Sequence, residues 1–211
     1  MTTTDWYLAA AETVVDLVGD QAVAERWAQP SALAGMSVGA LAEHLARQLF
    51  TVESVLDQEP CDQEPVALLD HYGRVSWIPA GHDEEPNVSL RENAAAAAQE
   101  GPAALLERTR AATTWLAERL PGERPDRVLM LTWQPWPLTL EDLLVTRLME
   151  IAVHGDDLAY SVGVRTPALP VEATDVVVTL LARLAARRHG PTAVIRALSR
   201  AERAPETIAA F

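Results

Sequence analysis

The stretch Arg147-Leu148-Met149-Glu150-Ile151-Ala152-Val153-His154-Gly155-Asp156-Asp157-Leu158 constrains the chain more than any other. Around it Leu140, Leu143, Leu144, Leu148, Ile151 and Leu158 recur at helical spacing, which describes one helix with a buried face. Arg147, Glu150 and His154 stand three and four residues apart and share a face that overlaps the apolar stripe. Ionisable side chains are seldom buried unless they are paired or bind a metal. Any fold built on this helix must supply partners for them.

The rest of the chain reads as helices separated by clear stops. Thr3 or Thr4 can cap a first helix to about Val18, and Gly19-Asp20 ends it. Ser37 caps a helix over about Val38 to Leu56, with Val38, Leu41, Leu45, Leu49 and Val52 as its core stripe and His44 at the border of that stripe. Gln58 to Asn87 is long for a loop, with a short helix expected at Ala67 to Trp77. A helical region follows from about Ser89 to Leu120, interrupted at Gly101-Pro102, with Pro102 at a helix start. Val128 to Trp133 reads as a short strand and Gln134 to Pro137 as a turn. Thr139 caps the helix carrying the charged stripe, which runs to about Val162 before Gly163. Pro170 opens a further helix over about Val171 to Arg188, and Ala193 to Leu198 fits helix or strand. A mostly antiparallel helix bundle is the natural way to bury these stripes.

Net charge is −13, and an acidic surface repels phosphate, so neither nucleic acid nor an anionic membrane is the expected partner. The single Cys61 excludes an intrachain disulfide framework and a Cys-rich zinc site. The N-terminus has no basic and apolar leader pattern, and no apolar run approaches membrane-spanning length, so a cytoplasmic location is expected.

Glu150 and His154 are i and i+4, a spacing at which a carboxylate and an imidazole can converge on one cation. A third ligand must come from elsewhere, and His44 is the best candidate. Two histidines and one carboxylate leave open positions, as in catalytic zinc and non-haem iron sites. The competing reading is a buried ionic cluster, with Arg147 paired to Glu150 and His154 bonded to Asp157 or to backbone. His71, His82 and His189 are expected to face solvent. Trp77, Trp133 and Trp136 could line a pocket near Arg74, Arg91 and Arg147. Phosphate-loop, nucleophile-elbow and H-E-x-x-H motifs are absent, which disfavours those enzyme classes.

At these residues the sequence resembles the mycothiol-dependent maleylpyruvate isomerase family of actinobacteria, within the DinB-like metalloprotein superfamily. Met36-Ser37-Val38-Gly39-Ala40-Leu41-Ala42-Glu43-His44-Leu45-Ala46 is similar to the family's W-[ST]-V-x-x-L-x-x-H-L-A, with Met36 in place of the tryptophan. Arg147-x-x-Glu150-x-x-x-His154-x-x-Asp157 is similar to its R-x-x-E-x-x-x-H-x-x-D. The order of histidine helix, long loop, Ala-rich helix, short strand and metal helix also agrees.

The resemblance implies an all-α, DinB-like four-helix bundle with an extra C-terminal helix and at most a short strand element. Residues 1–165 would be the metal-binding bundle, and 166–211 a short C-terminal extension, helix plus tail, packed on it. His44, Glu150 and His154 fall on the three ligand positions for a divalent metal, usually taken as zinc. Mycothiol would supply a sulfur near the open position, and Arg147 is the candidate catalytic residue, paired with Glu150 or holding an anionic group. Asp157 would orient His154. A mycothiol-using enzyme acting on a small electrophile is expected, as an S-transferase or a cis–trans isomerase, in a monomer or homodimer. The family's isomerases carry a substantial C-terminal domain, whereas residues 163–211 follow the metal helix here, which favours thiol transfer or an unassigned thiol-dependent reaction over isomerisation. The alternative is a non-catalytic metal-binding bundle with a regulatory or assembly role.

Overall fold

The computed structural model describes residues 1–59, 61–78 and 83–211. Helix α1 spans Thr3–Val18. Its cap is Thr2 rather than Thr3 or Thr4: the Thr2 hydroxyl accepts the Asp5 N–H, and the Asp5 carboxylate accepts the Thr2 N–H. An acidic residue three positions after Thr2 completes the reciprocal pair, which decides the register of the first turn. After a short α2 (Gln21–Glu25), α3 runs over Val38–Leu56 with the Ser37 hydroxyl accepting from Ala40.

Helix α4 is a short turn, Leu68–Tyr72, less than the Ala67–Trp77 expected, because Gly73 ends it. The segment before it lies on the later hairpin, where Cys61 and Val66 donate to the carbonyls of Val128 and Pro137. Helix α5 (Asn87–Ala97) passes through a single 3₁₀ turn to Gly101. Gly101 sits at φ 87°, a left-handed conformation that only glycine adopts cheaply, and Pro102 then starts α6 (Pro102–Arg119).

Strand β1 (Val128–Met130) pairs antiparallel with β2 (Pro137–Thr139), Leu129 opposite Leu138. The second strand occupies the end of a stretch that reads as a turn. Pro137 is tolerated because it stands at the strand's first position, and Leu138 is fully buried. Thr139 ends the strand and caps α7 (Leu140–Val162), which stops at Gly163 in the left-handed conformation. Helices α8 (Val171–His189) and α9 (Pro191–Ser199) follow, so the ambiguous Ala193 to Leu198 is helical.

Four long helices close a ring in the order α1, α7, α3, α6, each packed on its two neighbours, with α1 and α3 also touching across it. Helix α5 lies on α3, α8 lies on α7 and α1, and α9 lies on α8. The protein is an all-α bundle with a small two-stranded hairpin. Leu41, Leu45 and Leu49 of α3 are fully buried, each stabilising the fold by roughly 1.5–3 kcal/mol. Their burial turns the neighbouring polar residues His44, Gln48 and Thr51 inward as well; these are i, i+4 and i+7, and all are buried.

Candidate metal centre

Where α3 meets α7, the inward polar stripe of one helix faces that of the other. His44 Nε2 lies 3.9 Å from Glu150 Oε2, and His154 Nε2 lies 3.1 Å from the same oxygen. The two imidazole rings stand edge to face with centroids 4.5 Å apart. One donor atom from each of the three side chains lies within 4.8 Å of the others. Donors held ~2.1 Å from a common tetrahedral ion stand about 3.4 Å from each other, so only small rotamer changes separate this arrangement from a coordinating one. The donor set, two imidazoles and a carboxylate, suits zinc or iron and leaves at least one position for a further ligand.

Each member of the triad is mostly buried, with side-chain exposures of 10–14%. Burial pushes the His44 ring down to about 4, helped by the nearby His154 and opposed by Glu150. Burial alone would do the same to His154, but hydrogen bonds to Asp157 and Glu150 outweigh it and hold that ring up at about 9. Glu150 is pulled down to about 2 because the hydrogen bond from His154 and the charges of His154, Arg147 and His44 overcome its burial. In the metal-free protein the seam is therefore a neutral His44 beside a charged His154–Glu150 pair. His154 Nδ1 faces Asp157 Oδ2 at 3.1 Å, which leaves Nε2 for Glu150 or for a metal.

Arg147 does not form the expected ion pair with Glu150 among the described residues. Its Nη1 donates to Gln48 Oε1 at 2.8 Å and its Nε to the Thr146 hydroxyl at 3.1 Å. Gln48, 2% exposed, also donates from its amide to the His44 carbonyl at 2.7 Å. Its own carbonyl accepts from the Tyr7 hydroxyl of α1. Gln48 thus ties the histidine helix, the arginine and α1 together. The sequence signal that could have found it is its i+4 spacing from His44 on the same face.

His71 is buried, contrary to its expected place in solvent, because Tyr72 and Trp136 pack edge-on against it. Its Nδ1 accepts from Trp136 Nε1 at 3.1 Å. Arg74 lies over the Trp136 ring at 5.9 Å, Arg91 lies 4.0 Å from Asp83, and Trp133 is half exposed. His189 bonds through Nε2 to the Ala209 carbonyl at the C-terminal tail, and His82 lies outside the described residues. A cavity of about 300 Å³ opens between α1, α7 and the chain before α8, lined by Val14, Leu17, Leu45, Ile151 and Leu169. None of His44, Glu150 and His154 lines it. No helix among the described residues is long and apolar enough to cross a membrane.

Comparison with curated proteins and with solved structures gave no match. The family model of the mycothiol maleylpyruvate isomerase N-terminal domain matches residues 7–159, which contain α3, α7 and all three converging side chains. That span is most of the chain, and the helical bundle agrees with it. The chain belongs to the mycothiol maleylpyruvate isomerase N-terminal domain family.

Proposed function

We propose that the chain is a mycothiol-using enzyme in which His44, Glu150 and His154 hold a divalent metal, zinc in the first instance. The observation that carries this reading is the convergence of two imidazole nitrogens and a carboxylate oxygen from two separate helices, within the matched family span. When bound, the metal supplies a Lewis acid that keeps a coordinated thiol deprotonated near neutral pH. Asp157 holds the His154 ring so that Nε2 faces the site, and His154 gives up its proton before it can act as a ligand. Gln48 holds Arg147 at the α3–α7 seam, where its guanidinium can meet an anionic group of the electrophile. Such a thiol would supply a nucleophilic sulfur. S-transfer would form a C–S bond as the leaving group departs with its electron pair. Isomerisation would need sulfur to add to an activated double bond and be expelled after rotation about the resulting single bond.

A structural reading is favoured by one feature: His154 bridges Glu150 and Asp157, so the cluster is internally satisfied without a metal. The two readings separate on the purified full chain. Metal content is measured by mass spectrometry in the native protein and in His44→Ala and His154→Ala. About one ion per chain in the native protein, lost in both variants, with chelator-sensitive thiol consumption across a panel of electrophiles, supports the enzyme. No metal in the native protein, or metal retained in both variants, defeats it.

A further inference from the structure

The α4 turn presents a second polar pair, which feels the charges of Glu150 and Arg147 and lies outside the three converging donors. Tyr72 is 5% exposed, and its hydroxyl has no hydrogen-bond partner among the described residues. Buried hydroxyls are nearly always bonded, because one stripped of water and left unpaired destabilises the fold. Among the described residues the other buried polar atoms without a hydrogen bond are the Nε of Arg108, which still pairs with Glu100 at 3.3 Å, the Nε of Arg127, whose terminal nitrogens are bonded elsewhere, and Trp6 Nε1 on α1. Tyr72 differs from the arginines in having no second polar atom. Glu150 and Arg147 both bear on the Tyr72 hydroxyl, and burial pushes its ionisation far above the usual tyrosine range, so it remains a donor.

The neighbouring His71 is fixed as a donor too. Indole Nε1–H can only donate, so the bond from Trp136 makes His71 Nδ1 an acceptor. The proton of the neutral ring then sits on Nε2, for which no partner occurs among the described residues. Glu150 and Arg147 act on this ring as well, and burial keeps it neutral at about 4. Around the pair, Phe211 packs on Tyr72 and Trp77, with ring centroids 6.1 and 5.0 Å apart, and Arg74 covers Trp136.

We propose that His71 Nε2–H and the Tyr72 hydroxyl form a two-donor subsite that binds an acceptor oxygen, carboxylate or carbonyl, of the molecule acted on at the His44–Glu150–His154 triad. The inference rests on the enzymatic reading of that triad. The His71 Nε2–H can only donate and the Tyr72 hydroxyl can donate, so both can serve one acceptor oxygen, whereas an ammonium meets no acceptor at His71. Arg147 brings positive charge to bear on the pair and Glu150 negative charge, so a carboxylate and an uncharged carbonyl are separated by measurement. Tyr72 is kept with its hydroxyl unpaired because its partner arrives with the ligand.

The test uses the full chain, with metal content recorded on every sample so that the metal reading stands or falls separately. Succinate serves as the carboxylate probe and succinamide as the uncharged carbonyl probe, each titrated calorimetrically into native protein and Tyr72→Phe. Phenylalanine keeps the ring packing and removes only the orphaned oxygen. Succinate affinity is expected to fall about tenfold in Tyr72→Phe, the loss of one hydrogen bond, while the melting temperature rises by about 2–4 °C. Tighter binding of succinate than of succinamide assigns the carboxylate; the reverse assigns the carbonyl. In ¹⁵N-histidine spectra His71 is expected as the Nε2–H tautomer, with that proton moving on saturation with the bound probe. Failure of both probes to bind, equal affinities in the two proteins, a fall in melting temperature, or a His71 proton on Nδ1 would each overturn the subsite.

Discussion

The α3–α7 seam and the α4 turn each hold a buried histidine that feels the Glu150 charge, but they differ in how far their polar atoms are satisfied. At the seam His154 is gripped by two carboxylates, Arg147 by Gln48 and Thr146, and Gln48 by the His44 carbonyl. On α4, His71 has one bond and the Tyr72 hydroxyl none. The contrast is instructive because burial is similar in the two places. Desolvation pushes His44 and His71 down alike, to about 4, whereas His154 rises to about 9. Partners, not depth, set the charge, and the seam comes loaded with a proton that a metal would have to displace.

The contrast breaks first at the triad. His154→Ala should abolish stoichiometric metal binding, read by mass spectrometry, because two donors remain where three converged. Asp157→Asn leaves the three donors in place but loosens the His154 ring. Metal affinity should fall about 10–100-fold in a competition titration. Metal uptake by the native protein at pH 7 should release about one proton per ion into a weakly buffered solution, since His154 holds one up to about 9. The Asn variant should release less.

The metal-free protein should be most stable near pH 6.5, read by denaturant melts across pH. Above that value the unfolded His154 has lost its proton while the folded ring keeps it up to about 9, so stability falls as pH rises. Below it, the unfolded chain protonates at the ordinary histidine pKa, but the folded His44 and His71 resist down to about 4, so stability falls as pH drops. Glu150 adds to the loss between 4.5 and about 2. The swing on each limb should be on the order of a few kcal/mol. A flat profile would mean that the seam and the α4 turn are alike after all.

Gln48→Leu should give the smallest of these effects on metal content, with a loss of roughly 1–3 kcal/mol in stability from leaving Arg147 without its side-chain acceptor, while the Tyr7 bond to the backbone carbonyl stays. Thiol-dependent turnover should fall with it, through Arg147. Unchanged turnover would remove Gln48 and Arg147 from the mechanism and leave the splint purely structural.

Much of the bundle is legible from residue spacing. The stops at Gly19, Gly101 and Gly163 and the caps at Ser37 and Thr139 are local chemistry, and each acts where the pattern places it. The first cap falls one or two residues before the expected threonines, because Thr2, Thr3 and Thr4 are equivalent until Asp5 chooses among them. The second strand is not legible because three residues give no periodicity, and Pro137 argues against a strand unless the pairing partner is known. His44, Glu150 and His154 could be nominated because each lies on the face its own helix buries. His71 could not, since the long segment around it carries no repeating apolar pattern to say which way it turns.

The sequence by itself determined where the long helices α1, α3, α6 and α7 run, which of their faces are apolar, and that two histidines and a carboxylate stand on such faces, since these follow from interactions within a few residues. Only the tertiary structure decided who meets whom. Gln48 reaches Arg147 across 99 residues of chain, and Trp136 reaches His71 across 65. No local propensity encodes such pairings; they arise when packing of the whole bundle leaves each buried polar atom to find a partner or, as at Tyr72, to go without one.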